Sequence, residues 1–157
     1  MSPDSRDRTT FLSIREVVER LRHILTDARE RIAARMATQD DSERARIFVE
    51  TLRRLSTDLG ASLDETTAQA AEEVLETRVQ YTTDALLEDA DPPDTGDSIE
   101  ASCAWLLAVD GGVRDTITAL AARTDHSEVR TYLEALASLL TAHDRRLTRA
   151  GNEDVDT

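Results

Sequence analysis

Two polar side chains fall on otherwise apolar helical stripes, and they are the first candidates for chemistry. Asp110 interrupts the series Ile99, Cys103, Leu106, Val113, Ile117 and Leu120. His143 interrupts the series Val129, Tyr132, Leu133, Leu136, Leu140 and Leu147. Steps of three and four residues put each series on one helix face. A carboxylate on an inward face needs a partner, because burying an unpaired charge is costly. The pattern leaves open a solvated rim position for Asp110, or an ion pair with an arginine such as Arg22 or Arg29. His143 reads as a core-edge histidine hydrogen-bonded to Asp110 or to a carbonyl, and as a lone ligand it would hold a metal weakly. His23, on the polar side of its helix, and His126, in a turn, have no ligand spacing to another His, Cys or Glu, so both read as surface residues. Cys103 reads as a small buried hydrophobe, since no histidine is placed to activate it. The sequence holds no phosphate loop, nucleophile elbow, Cys-x-x-Cys pair or nicotinamide fingerprint.

The 157 residues suffice for one domain with a modest core. All 19 basic side chains are arginine, against 32 acids, for a net charge of −13. This balance argues against nucleic acid, which needs a basic face, and against an anionic membrane surface. No apolar run is long enough to span a bilayer, and the polar opening residues carry no signal-peptide core. A single cysteine fits a reducing cytoplasm. Seven acids and no base lie between Asp84 and Glu100, which reads as a solvated loop.

Strand signals are weak and helix signals are repeated. Ser13-x-x-Glu16 is a capping box in which hydroxyl and carboxylate satisfy backbone amides at a helix start. The stripe Ile14, Val17, Val18, Leu21, Leu25, Ala28, Ile32 and Met36 follows it, with Arg15, Glu19, Arg22, Arg29 and Glu30 assigned to the outer face. A second helix carries Ala45, Phe48, Leu52, Leu55 and Leu59 and is expected to stop at Gly60. Ser62-x-x-Glu65 predicts a shorter helix reaching Val79, followed by a break at Pro92-Pro93. A third long helix begins at Asp97-x-x-Glu100 and contains Gly111-Gly112. That pair either admits another helix closely or marks a weak point. A fourth begins near Ser127 and is expected to end at Gly151. Trp105, Leu107 and Val109 form a second apolar strip, expected to pack on the 62–80 segment ahead of a homodimer face. The expected organisation is a flexible 1–12, a single helical domain over 13–150 and a disordered acidic tail over 151–157.

Two hairpins joined by a long, partly helical crossover describe an all-α, ferritin-like four-helix bundle. The segment from Val109-Asp110 through Asp125-His126-Ser127-Glu128-Val129 to His143 and Arg146-Leu147 resembles the second half of rubrerythrin-like ferritin-superfamily proteins. That resemblance implies an inward Glu from the first and third helices and a Glu-x-x-His from the second and fourth, together holding two iron or manganese ions. Position by position, this chain presents Leu25 or Thr26, Ser56 and Leu59, Asp110, and Leu140 with His143. Asp110 and His143 are thus the relic candidates, and no metal or other cofactor is expected. The resulting expectation is a non-catalytic bundle acting through protein contacts, self-association or scaffolding, with no nucleic-acid or membrane partner. The alternative is a divergent iron or manganese oxidase or peroxidase. A third reading, from charge alone, is an acidic DNA-mimic decoy.

Overall fold

The computed structural model describes residues 9–39, 42–82 and 98–152. Among them the chain is mostly helical, in keeping with the all-α expectation, with one small sheet: β1 (Thr9–Ser13), α1 (Ile14–Gln39), α2 (Glu43–Gln69), α3 (Glu72–Glu76), β2 (Arg78–Thr82), α4 (Ile99–Arg123) and α5 (Ser127–Asn152).

The start of α1 follows from its sequence. Glu16 N–H donates to Ser13 Oγ at 3.2 Å, and Ser13 N–H donates to Glu16 Oε1 at 3.1 Å, so the capping box is made. The bond from Ser13 N–H, and then one from the Ser13 hydroxyl to the same Oε1 at 3.0 Å, hold the Glu16 carboxyl below its ordinary range. Ser42 caps α2 by accepting from Ala45 N–H, and Ser98 caps α4 by accepting from Ala101 N–H. Asp97, Pro92-Pro93 and most of the acidic 84–100 run lie outside the described residues.

The four long helices pack as a ring in the order α1, α2, α5, α4. Side-chain pairs fix their directions. Arg22, early in α1, bonds Asp64, late in α2. Arg44, at the start of α2, bonds Glu100, at the start of α4, at 3.0 Å. Thr67, at the end of α2, meets the Tyr132 hydroxyl, early in α5, at 2.8 Å. Neighbours in the ring therefore run antiparallel, and α2 and α4 run parallel across the diagonal. The chain leaves α2 at one end of the bundle and enters α4 at the other. Each long helix turns its apolar stripe inward, and one core joins them all.

Three expectations need correction. First, α2 does not stop at Gly60 but continues to Gln69, so Ser62-x-x-Glu65 lies inside a helix and caps nothing. The Leu59 to Leu63 spacing keeps the inward stripe going. A Cβ at Gly60 would come within 3.0 Å of Arg22 Nη2, so this glycine leaves room for the guanidinium on its way to Asp64. Second, the predicted 62–79 helix is interrupted at Ala70-Ala71, only the short α3 follows, and Arg78–Thr82 pair antiparallel with Thr9–Ser13, Leu12 opposite Val79. The alternation of exposed Gln80 with buried Tyr81 is a strand period, short enough to be missed. Thr9–Leu12, expected within a flexible N-terminus, thus form a strand. Third, α5 runs through Gly151 to Asn152; the rest of the expected acidic tail lies outside the described residues.

Gly111-Gly112 continues α4 without a break. A Cβ at Gly111 would meet only Arg114 Nη2, at 3.8 Å, so no helix backbone presses against this position. Of the two sequence readings, the weak point fits Gly111. Gly111→Ala is expected to stabilise the protein by roughly 1 kcal/mol through backbone entropy. Urea unfolding checks this, and a lower midpoint for the variant would contradict it.

Candidate functional site

The bundle centre holds one polar cluster. Four polar residues are buried among the described ones: Arg29, Ser102, Asp110 and His143. Three of them meet. The Arg29 side chain, 1% exposed, extends from α1 into the core. Its Nη2 donates to Asp110 Oδ2 at 2.5 Å, and its Nε donates to His143 Nε2 at 3.3 Å. Its Nη1 donates to the Leu25 carbonyl at 3.1 Å. Asp110 comes from α4 and His143 from α5, so one guanidinium ties three helices together.

Asp110 is 0% exposed, which removes the rim reading and leaves the arginine pair, with Arg29 as the partner. Arg22 bonds Asp64 at the surface instead. His143 is held by Arg29, not by Asp110 or a carbonyl. Arg29 was named as a possible partner for Asp110 and yet assigned to the outer face, so its burial and its bond to His143 are what the sequence reading missed. A signal was present: Leu25 and Ile32 stand four before and three after it, so position 29 falls on the inner stripe.

The charge states follow from burial and neighbours. Burial, and then the Arg29 charge, push the His143 pKa down to about 4, so the ring is neutral at pH 7. It accepts at Nε2 and carries its proton on Nδ1. Burial alone would raise the Asp110 pKa. A hydrogen bond with Asp144 and the charge of Arg29 outweigh it and hold Asp110 below the ordinary carboxylate value. Asp144 extends the cluster to the α4–α5 seam, where Arg114 Nη1 donates to its Oδ2 at 2.7 Å. Leu140 and Leu147, four before and three after Asp144, are the pattern that could have marked it.

A dinuclear metal centre does not fit this donor set. A divalent pair needs several carboxylate oxygens. Among the described residues, the interior sets a guanidinium between the fully buried Asp110 carboxylate and the buried His143, and a fixed positive charge repels a metal ion from both. Leu25, Leu59 and Leu140, at positions where the resemblance implies ligands, are buried core residues. Among the described residues no group of three or more His, Cys, Asp or Glu side chains is placed to hold a metal.

The remaining candidates are elsewhere. Cys103 is buried beside the Leu147 carbonyl, and burial pushes its thiol up to about 11, so little thiolate forms at neutral pH. His23 and His126 are exposed. His23 lines a surface groove of about 580 Å³ between α1 and α4, together with Ile24, Ala28, Arg31, Trp105 and Val109. Trp105 therefore faces α1 across this groove rather than the 62–80 segment; its partly buried ring packs on the core. No described helix is long and apolar enough to cross a membrane.

Comparison with protein-family models, with curated proteins and with solved structures finds no match to this chain.

Proposed function

We propose that this chain is a non-catalytic bundle of ferritin-like layout that acts through protein contacts, with an internal arginine where related bundles would hold metal. One observation carries this reading: Arg29 bonds Asp110 and His143 at once, so the two relic ligand positions are engaged by a guanidinium. The chain path supports the layout, since two antiparallel hairpins are joined by a connection that returns from one end of the bundle to the other. A fixed internal cation balances the Asp110 carboxylate without any exchangeable ion, which suits a scaffold better than a redox centre. Action through contacts is supported by the α1–α4 groove, where Trp105 offers aromatic surface of the kind that anchors interfaces. The decoy reading gains little, because arginines interleave with acids on the described seams, as in Arg22–Asp64, Arg44–Glu100 and Arg146–Asp58.

Metal analysis of the purified protein tests the reading, before and after incubation with ferrous iron or manganese. Far less than one ion per chain is expected. About two tightly held ions per chain, with oxidase activity that follows them, would overturn the proposal in favour of the enzyme reading.

A further inference from the structure

The α4–α5 seam holds two carboxyl groups with mirrored surroundings. Each takes an arginine on one oxygen: Arg29 at Asp110 Oδ2, 2.5 Å, and Arg114 at Asp144 Oδ2, 2.7 Å. Each keeps its other oxygen, Oδ1, buried and without any donor. The two side chains are within hydrogen-bonding reach of each other. Ionised carboxylates can only accept, so two bare buried oxygens would both be wasted and would repel. One proton between them satisfies both.

We propose that Asp110 and Asp144 share a single proton across the α4–α5 seam, and that releasing it to solvent makes this seam a pH-responsive part of the bundle. On release the O–H of Asp144 breaks, the proton goes to water, and two like charges face each other in the interior. Asp144, with 13% of its side chain exposed, is the member able to turn outward, while Asp110 is fixed by Arg29.

The charged and titratable groups around the pair come from all four long helices. Arg29 on α1, Arg114 on α4 and His143 on α5 act on the pair itself, and Arg146 on α5 and Asp58 on α2 stand one step out, acting on His143. His143 stays neutral, and Arg146 is paired with Asp58 at 2.9 Å. Burial, and then the hydrogen bond and charge of Asp110, raise the Asp144 pKa from 3.8 to about 7. Between those values the folded chain holds a proton that the unfolded chain has lost. Stability contributed by the pair is therefore full below the lower value and falls as pH rises toward the upper one.

The inference rests on the metal-free reading, since an ion between the carboxyls would displace the proton; metal content measured on the same samples separates the two failures. The test is a carbon-13 NMR titration of aspartate carboxyls in the full-length protein from about pH 4 to about pH 9. In the wild type one carboxyl is expected to titrate near 7, about three units above an ordinary aspartate, and to be missing from Asp144→Asn. The asparagine can still donate to Asp110 Oδ1, so the fold should survive. The wild-type melting temperature should also drop more than the variant's from about pH 5 to about pH 8. If every wild-type aspartate titrates below about 5, the shared proton does not exist, whatever the variant does.

Discussion

Arg29→Met is expected to cost about 3–5 kcal/mol of folding stability, the largest effect of any single substitution considered. The number follows from what the change leaves behind. Asp110, 0% exposed, keeps its charge but loses the cation 2.5 Å away. His143 Nε2 and the Leu25 carbonyl lose their donors as well. Without the arginine the Asp110 pKa must rise, so the deficit should shrink as the medium is acidified and Asp110 takes up a proton. Asp110→Asn added to Arg29→Met removes the stranded charge and is expected to recover most of the loss, although each change alone is harmful. Such a coupling is the signature of a buried pair. Arg53→Ala serves as the contrast. Its bond to Glu30 is 3.5 Å long, and the two side chains are 53% and 65% exposed, so its loss should cost under about 1 kcal/mol. Equilibrium unfolding in urea measures all four variants. An Arg29→Met protein within about 1 kcal/mol of the wild type would show that the guanidinium does not carry the interior charge balance.

Sequence periodicity located the four long helices because a helix must bury a stripe, and a stripe repeats every three or four residues. Ser13 and Glu16 were legible for a similar reason, since a capping box is a local device whose partners lie three residues apart. The misreadings share a different origin. Gly60 carries the composition of a helix stop, yet its role is set by Arg22, which lies 38 positions earlier and approaches only in the folded bundle. The pairing of Leu12 with Val79 joins two strands across the whole first hairpin, and no local window contains both. Arg29 was misplaced by residue type. Its position lay on the inner face, but a charged side chain weighs against burial until its partners are known, and they stand on α4 and α5. For Asp110 an arginine pair stood beside a solvated rim position, and Arg29 was one of two arginines named, so the central pair was one of the readings open before the fold. The proton-sharing partner Asp144 could not, because its distinctive property arises from a neighbour across a helix seam.

The same long-range logic makes Gly151→Ala the second strong test. By composition Gly151 should end α5, and by structure it is a buried helical residue packed against the start of α4. A Cβ there would sit 2.5 Å from Cys103 Sγ, closer than such atoms can stand, and 3.2 Å from Cys103 Cβ, a tight approach. Alanine brings up to about 1 kcal/mol of helix propensity, but pushing two packed helices apart typically costs 1–3 kcal/mol. A net loss of about 1–2 kcal/mol is therefore expected, visible as a lower melting temperature. Cys103→Ala combined with Gly151→Ala removes the sulfur and leaves only the milder Cβ approach, so the double variant should be more stable than Gly151→Ala alone. That reversal separates a steric clash from simple fraying of the last turn, which deleting the sulfur would not repair. Should Gly151→Ala raise the melting temperature, the end of α5 does not press on Cys103, and the glycine is a helix terminator after all.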